Sequence, residues 1–346
     1  MQLDEKSRLL LNLLQDEIPL VARPYKILGD KIGLSEDEIV ARIGELKTSQ
    51  LLRQISAIFN THNLGYQSSL VACKAPPDKI DQVAATLNLH PGISHNYARN
   101  HEFNLWFTIA VPEQACLQTH LDVLLKESGA CSLRPMPTLR LFKIGMKLDM
   151  TEGRAQKPSS DEETPSYANA PSIAEKFPLT EKDRLFVLAL QDDMETRPDP
   201  FAPIARRLNV TLSELFDWCR QAITCGRLRR IAGIVRHRQA GFSANGMGVW
   251  QTPPERIEEV GQLFARQSVI THCYQRPTYP DWPYNLFTMI HGKTVDECDE
   301  IFARLLQLSG ISAYAALYSH KEYKKIRLKY FTGEIEAWEK ACERTS

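Results

Sequence analysis

The segment Leu3-Asp-Glu-Lys-Ser-Arg-Leu9 returns later in the chain as Leu179-Thr-Glu-Lys-Asp-Arg-Leu185, at an offset of 176 residues. Matches continue in the same order over roughly 140 residues, which chance does not sustain, so an internal repeat decides the fold. The sequence is therefore a tandem duplication of a first and a second copy. Further matched positions, with two short insertions among them, are Pro24 and Pro200, Ile55 and Ile231, Gly65-Tyr66 and Gly241-Phe242, His95 and His272, Arg99 and Arg276, and Asn104 and Asn285.

Length and charge limit the classes of protein that fit. A chain of 346 residues is long enough for two or three domains, each able to bury its own core. Its 42 basic and 42 acidic residues cancel, so no global field attracts it to nucleic acid or to an anionic membrane. The sequence has no apolar stretch of about 18 residues, and we predict neither export nor a membrane span.

The eight cysteines are scattered and form no CxxC pair. This spacing argues against zinc sites and against a disulfide framework, and it favours a reducing cytoplasm. Glycine loops of the GxGxxG or GxxxxGK[ST] type are also missing from the sequence, so nucleotide phosphates have no predicted binding loop. We predict no metal site.

Each copy opens with a pattern that predicts three short helices and a strand, the arrangement of a winged helix-turn-helix. The third helix of each copy begins with a capping box, Ser35 with Glu38 in the first copy and Thr211 with Glu214 in the second. The segments that follow, 51–55 and 227–231, are predicted to be the first strands of wing hairpins.

Beyond the wing, residues 68–144 follow the order strand, helix, strand, strand, helix, strand, and residues 246–329 repeat it. This order is the split βαβ of a ferredoxin-like sandwich, so we predict an α+β fold. The predicted units are winged helix-turn-helix domains at 1–60 and 179–236, ferredoxin-like βαββαβ domains at 61–150 and 237–346, the latter with a C-terminal helix, and a disordered linker at 151–178.

The predicted linker is rich in Pro, Ser, Glu and Ala and has few large apolar residues. Burial within such a segment cannot offset the entropy of ordering it. A tether of this length holds the two copies at a high effective concentration. We therefore expect the copies to pack together as an intramolecular pseudo-dimer, and a homodimer of whole chains is left open.

A winged helix-turn-helix followed by this sandwich resembles the Lrp/AsnC regulators, which makes DNA binding the first hypothesis. A recognition helix needs Lys and Arg for phosphates and Arg, Asn or Gln for base edges. The third helix instead carries four acids against two bases in residues 35–47, and two acids against one base in residues 211–222. We expect no nucleic acid to bind there.

Basic residues gather on the wing of the second copy and on the strand that leaves it. A run of six bases without an acid predicts a pocket for a polyanion. An ordinary solvated wing that touches phosphate is the alternative interpretation. The residues are Arg227, Arg229, Arg230, Arg236, His237 and Arg238.

A His-Tyr-Arg triplet with spacing i, i+2, i+4 occurs once in each copy. On a strand this spacing puts the three side chains on one face. A structural role is the alternative, but the repetition at matched positions favours a polar and aromatic functional face. The triplets are His95, Tyr97 and Arg99 in the first copy and His272, Tyr274 and Arg276 in the second.

The second triplet runs into Arg276-Pro-Thr-Tyr-Pro-Asp-Trp-Pro-Tyr284, a turn dense in proline and aromatic residues. Such a turn is stiff and offers flat apolar surface. A flat ring with a carboxylate rim would be held by these aromatics on its faces and by Arg and His at its edge. The alternative role is a lid over the sandwich core. His291, at the end of the next strand, adds a titratable group nearby.

At these residues the chain resembles the siroheme decarboxylase family, which shares the Lrp-like architecture. The resemblance rests on residues 229–242, on Cys273-Tyr-Gln-Arg-Pro277, and on Trp282-Pro-Tyr-Asn-Leu286. In the first copy it rests on Ile55-Ser-Ala-Ile-Phe59 and on Asn104-Leu-Trp-Phe-Thr108. It covers both copies and implies that two subunits, separate in most members, are fused here.

The resemblance implies removal of CO2 from the acetates on carbons 12 and 18 of siroheme, giving 12,18-didecarboxysiroheme, within haem or denitrification-haem biosynthesis. It implies siroheme as substrate and no required cofactor. An Lrp/AsnC-like regulator and a haem-responsive sensor remain the alternatives.

Our hypothesis for the mechanism is that arginines hold the spectator carboxylates while a histidine delivers the proton that replaces CO2. Whether the first copy carries a second active site is left open. The catalytic candidates are His237 and His272; the substrate-binding candidates are Arg229, Arg236, Arg238, Arg276, Tyr274, Tyr284 and His291 in the second copy and His95, Arg99 and His101 in the first.

Overall fold

The computed structural model describes residues 3–144, 147–149, 154–156, 178–235, 244–292 and 294–343, with the backbone alone at 144, 147–149 and 154–156. Within these ranges, no helix combines the length and the apolar character needed to cross a bilayer.

The helix-turn-helix units form where the sequence places them. Both predicted capping boxes are present: the Ser35 hydroxyl accepts from the Glu38 N–H while the Glu38 carboxylate accepts from the Ser35 N–H, and Thr211 and Glu214 do the same. Each cap satisfies N–H groups that a helix start leaves unpaired. The elements are α1 (Glu5–Asp16), α2 (Pro24–Ile32), α3 (Glu36–Thr48) and β1 (Leu52–Phe59) in the first copy.

The first strand of each predicted wing pairs with a strand of the other copy and not within its own hairpin. The strand β1 pairs antiparallel with its counterpart from the second copy, with Ile55 opposite Gly233 and Ala57 opposite Ile231. Residues 51–55 and 227–231 therefore join the copies to each other. In the second copy the equivalent elements are α6 (Glu181–Leu190), α7 (Ala202–Leu208), α8 (Leu212–Thr224) and β9 (Leu228–Val235).

Helices of both units bury their apolar faces in one common core, which includes Leu10 and Leu14 of α1 and Phe186 of α6. A side chain added at Gly233 would come within 3.1 Å of the Leu14 Cβ atom, so α1 of the first copy lies directly on β9 of the second. The two helix-turn-helix units are one packed body.

The two ferredoxin-like units confirm the α+β prediction. Each has two helices on one face of an antiparallel sheet, in the predicted order. In the first copy the elements are β2 (Tyr66–Lys74), α4 (Ile80–Asn88), β3 (Ile93–Arg99), β4 (Leu105–Pro112), α5 (Leu117–Ser128), β5 (Ser132–Met136) and β6 (Arg140–Ile144), followed by a hairpin of β7 (Lys147–Asp149) and β8 (Arg154–Gln156); in the second they are β10 (Ala244–Trp250), α9 (Ile257–Ala265), β11 (Ile270–Gln275), β12 (Leu286–Gly292), α10 (Val295–Ser309), β13 (Tyr314–Lys325) and the C-terminal helix α11 (Glu334–Glu343).

The two sheets join into one of nine strands, in the order β5-β2-β4-β3-β13-β10-β12-β11-β6. The long strand β13 pairs with β10 of its own copy through its first half and with β3 of the first copy through its second half. The predicted last strand of the first copy is divided instead, so that β5 pairs with β2 and β6 crosses to β11. Each copy therefore completes the sheet of the other.

Strand alternation gives each sheet a helix-covered outer face and an inner face. Two separate apolar cores lie under the helices, one in each copy. A third core lies between the inner faces and draws on both copies, with Trp106 and Met136 from the first and Met247, Trp282 and Phe287 from the second. The expected pseudo-dimer thus has its own hydrophobic interior.

The C-terminal helix α11 of the second copy packs on the helices of the first. The Gly92 N–H donates to His90 Nδ1, so His90 Nε2 donates to His120 Nδ1, 2.9 Å away, and His120 Nε2 donates to the Glu339 carboxylate at 2.9 Å. Both rings contact Trp338. Burial lowers the pKa of His90 to about 3, with His120 and Lys324 adding to the effect, so the His90 ring is neutral.

The structure describes only part of the predicted linker, so the predicted boundaries at 151 and 178 stay predictions. Within 151–178, Arg154–Gln156 pairs with Lys147–Asp149, and helix α6 starts at Glu181 after its cap residue Thr180. Residues 150–153 and 157–177 lie outside the described residues.

Replacing Leu14 with alanine tests the shared helix-turn-helix core. Leu14 is fully buried against the other copy, so the free energy of unfolding should fall by about 2–5 kcal/mol in urea titration. Leu185→Ala is the control, because that side chain is 56% exposed and its loss should cost roughly 0.5 kcal/mol or less. Equal effects of the two substitutions would contradict the described packing.

Candidate active site

The two His-Tyr-Arg triplets lie on the inner faces of the sheets, and the three side chains of each share one face, as their spacing predicts. Asn96, one position after His95, hydrogen-bonds Asn88 of α4 and so points outward, and Ala98 belongs to the helix-side core. Cys273, one position after His272, belongs to the outer core of the second copy. The triplet side chains alternate with these residues and therefore point inward.

The two histidines have matching surroundings. The Nδ1 atom of His95 lies 3.0 Å from the Ser94 hydroxyl, and the Nδ1 atom of His272 lies 3.0 Å from the Thr271 hydroxyl. Each imidazole faces the tyrosine of its triplet, with ring centroids 6.2 Å apart for His95 and 6.0 Å apart for His272. The duplication has preserved the local geometry of both.

Burial beside cations keeps both imidazoles neutral. Burial, followed by the positive charges of Lys325 and Arg53, lowers the pKa of His95 to about 4. Burial, followed by Arg276 and Lys143, lowers the pKa of His272 to about 4. Anions placed against these cations would oppose the charge effect and raise both pKa values.

The triplet arginines are fixed by the protein itself. Arg276 donates to the Met136 carbonyl, and its guanidinium lies 4.8 Å from the ring centre of Tyr274 and 5.5 Å from that of Phe287. Arg99 is 5% exposed and donates to the Leu317 carbonyl at 2.9 Å. Burial lowers the pKa of each arginine to about 10. Both side chains still place positive charge on the inner face.

The proline-rich turn of the second copy, residues 276–284, fills one end of the space between the two sheets; we call it the plug. Trp282 is fully buried and packs on Trp106 at 5.1 Å and on Tyr284 at 5.1 Å between ring centres. Asp281 accepts hydrogen bonds from Arg134. Trp282 is thus a core residue, and the lid interpretation fits it. Tyr284 stays partly exposed beside it.

His101 belongs to the same plugged end. Its Nδ1 atom accepts from the Phe103 N–H at 3.1 Å, and its ring contacts Trp282 edge-on at 5.2 Å. His101 follows the end of β3, so the length of that strand separates it from His95.

Polar groups collect at the opposite end, where β3 and β11 begin. His291 alternates with the inward Phe287 and Met289, so it faces inward too. Its strand partner Asn245 has an Oδ1 atom that is buried without a hydrogen-bond partner among the described residues. His272 lies opposite Met289 on the neighbouring strand. His272, His291 and Asn245 therefore share one polar region of the inner face.

The basic wing does not act as one pocket in the part that the structure describes. Arg227 is buried and its guanidinium lies 3.6 Å from Asp183. Arg229 and Arg230 follow each other on β9, so their side chains leave on opposite faces. Arg229 is exposed on the sheet that joins the helix-turn-helix units. The remaining wing candidates, Arg236, His237 and Arg238, lie outside the described residues.

Sequence reasoning missed three cations near His95. Lys325 stands directly opposite His95 on β13, and the charges of Lys325 and Arg53 both act on its pKa. Arg53 in turn acts on Arg327. Arg53 belongs to the first copy, but Lys325 and Arg327 come from the second, so no local pattern could have assigned those two to His95.

Two cavities lie away from these residues. One of about 250 Å³ lies between Asp78 and Tyr323, and one of about 460 Å³ lies between Leu13 and Arg220. Among the described residues, no group of three or more His, Cys, Asp or Glu side chains could hold a metal ion.

Known proteins match this chain along its length. The AsnC-like ligand binding domain matches residues 63–143 and 239–324, and the siroheme decarboxylase NirDL-like HTH domain matches residues 7–53. The siroheme decarboxylase of Hydrogenobacter thermophilus is 37% identical over 330 residues, which span 95% of this chain and 96% of that protein. This chain belongs to the siroheme decarboxylase family.

A solved family structure has the same fold throughout. The siroheme decarboxylase NirDL, crystallised in co-complex with an iron-uroporphyrin III analogue, superposes with a TM-score of 0.76 at 32% identity, covering 99% of both chains. The siroheme decarboxylase beta subunit of Methanosarcina barkeri matches only 39% of this chain, at 40% identity, although 90% of that subunit is covered. Siroheme decarboxylases therefore occur both as fused chains and as separate subunits.

Replacing Arg276 with lysine tests the arginine that stacks in the second copy. Lysine keeps the charge but loses the planar stacking on Tyr274 and the geometry of the bond to Met136. We expect kcat/KM for siroheme to fall by roughly tenfold or more. Arg220→Lys, at an exposed residue paired with Asp217, should leave it unchanged. A wild-type value for Arg276→Lys at wild-type Tm would show that the guanidinium shape is unimportant.

Proposed function

We propose that this chain converts siroheme to 12,18-didecarboxysiroheme by removing CO2 from two acetate side chains. The observation that carries the proposal is the pair of inward His-Tyr-Arg faces in a chain similar over 95% of its length to a siroheme decarboxylase. Buried imidazoles beside fixed cations suit a planar ligand with many carboxylates. The complex of NirDL with an iron-uroporphyrin III analogue supports the same ligand class.

Each decarboxylation breaks one carbon–carbon bond and consumes one proton. The acetate carboxylate leaves as CO2, the bonding electron pair passes into the macrocycle, and a proton then converts the CH2 carbon to a methyl group. Two rounds release two CO2 and take up two protons. The protein must hold the acetate in place, keep its carboxylate ionised and supply the proton.

His272 is the proton donor that the described residues favour in the second copy. It lies on the inner face, the Arg276 charge acts on it, and His291 and Asn245 belong to the same polar region. Tyr274 and Tyr284 offer partly exposed rings for the macrocycle face. We also propose His237 as a proton donor and Arg236 and Arg238 as partners of substrate carboxylates. Arg229 would bind a carboxylate if the substrate extends to β9. In the first copy, His95 and Arg99 occupy the equivalent places, whereas His101 packs on the plug.

The reaction uses siroheme as substrate without another cofactor, in the cytoplasm. The fused chain supplies both halves of the pseudo-dimer, and assembly of whole chains into a homodimer is tested by sedimentation.

A regulator and a sensor are the competing functions. Helix α3 places Glu36 and Glu38 in its first turn, where a recognition helix would meet phosphate. This charge disfavours DNA binding. Anaerobic incubation with siroheme separates the classes: loss of the mass of two CO2 shows the enzyme, an unchanged bound tetrapyrrole shows a sensor, and retarded DNA at physiological salt shows a regulator.

Single substitutions distinguish the proton donors. We expect His272→Asn and His237→Ala each to abolish or strongly reduce product formation by at least roughly a hundredfold if the residue is the acid, in line with the contribution of general acids. His320→Asn, at an exposed histidine, is the matched control. Full turnover by one variant removes that histidine from the role, and full turnover by both overturns the assignment.

Ligand binding should draw protons onto the protein. The free pKa values of His95 and His272 are about 4, and substrate carboxylates should raise them, so the complex binds more protons than the free chain near pH 6.5. Affinity for iron uroporphyrin III should therefore rise as pH falls from about 7.5 to about 6. Calorimetry in buffers of different ionisation enthalpy measures this uptake. Proton release on binding would contradict it.

A further inference from the structure

The first copy has a cationic cluster that its own sequence does not supply. Lys325 stands opposite His95 in the β3–β13 ladder, and directly opposed residues of an antiparallel pair project from the same face. The Ile326 N–H donates to the Ser94 carbonyl at 2.8 Å, which holds the end of β13 against the histidine. Arg327 follows at once and donates to the Ala57 carbonyl of β1.

The third cation comes from the helix-turn-helix unit. Arg53 sits at an irregularity of β1, between the paired residues Leu52 and Gln54. Its charge lies close enough to lower the pKa values of both His95 and Arg327. The cluster of Arg53, Lys325, Arg327 and His95 is thus built from β1, β3 and the end of β13, where the sandwich meets the helix-turn-helix body.

The cluster gathers three basic side chains at one place. Within residues 3–144, 178–235, 244–292 and 294–343, none of Arg53, Lys325 and Arg327 forms an ion pair with a carboxylate, whereas neighbouring Lys321 pairs with Asp81 at 2.7 Å. One carboxylate, Glu322, lies on the same face of β13, opposite Tyr97. Like charges gathered beside a half-buried histidine are unfavourable until an anion joins them.

The equivalent place in the second copy has a different character. The residue opposite His272 is Ile144, so the strand exchange gives the first copy a lysine where the second copy has an apolar residue. Cations act on both histidines, but a lysine stands directly opposite His95, whereas the cations that act on His272 are Arg276 and Lys143.

We propose that His95, Arg53, Lys325 and Arg327 form a second carboxylate-binding site for the tetrapyrrole, assembled from both copies. The inference rests on the proposed function for its ligand class. The guanidinium groups and the ammonium group bind ring carboxylates as charge-assisted hydrogen bonds. His95 contacts the same carboxylates and changes protonation with them.

The test is titration of the full chain with iron(III) uroporphyrin III, followed by the absorbance of the bound porphyrin. We expect the triple variant Arg53→Gln, Lys325→Gln, Arg327→Gln to raise Kd by roughly tenfold or more and to flatten the dependence of Kd on salt. The control Lys321→Gln lies on the same strand but on the outer face, and it should change Kd by less than about twofold. Triple-variant affinity equal to wild type overturns the site.

A double-mutant cycle places the effect at His95. Lys325 is exposed, so Lys325→Gln alone keeps the fold, which Tm confirms. Its effect on Kd should be non-additive with His95→Asn and additive with His272→Asn. Additivity with both histidines would show that the lysine acts elsewhere and would overturn the site. If wild-type chain binds iron uroporphyrin III but leaves siroheme unchanged, the proposed function fails while the cycle still decides this inference.

Discussion

The exchange of strands between the two copies is the constraint on which the rest of the structure depends. Neither copy has a complete sheet alone, because β13 extends onto β3 and β6 crosses to β11. The same exchange aligns the inner faces and creates the core around Trp106 and Trp282. Backbone hydrogen bonds at these joints are satisfied only when both copies are present, so folding of each half depends on the other.

The active-site chemistry follows from where that exchange leaves polar groups. Aromatic packing fills one end of the inter-sheet space, and the histidines lie towards the other end. Burial between the sheets makes the imidazoles poor bases in the free protein, and the fixed arginines make the inter-sheet space attractive to anions. A bound polyacid would therefore bring negative charge next to these cations. Its carboxylates would raise the pKa of the imidazole that donates the proton.

Local sequence patterns predicted much of this and non-local pairing hid the rest. The capping boxes, the shared face of each triplet and the βαββαβ order were all predictable, because each depends on residues a few positions apart. The partner of β1, the division of the strand after Met136 and the burial of Arg227 depend on contacts between copies. Lys325 could not be assigned to His95 for the same reason.

The C-terminal helix shows what the covalent connection between the copies contributes. Its residues Glu339 and Trp338 contact the buried histidines of the first copy. The pairing of β1 with β9 joins the two helix-turn-helix units. Contacts at the interface, and not the covalent linker, therefore hold the two copies together. Gene fusion then changes stoichiometry rather than architecture: it guarantees one partner for each half and lets the halves drift apart in sequence without the risk of pairing with copies of themselves.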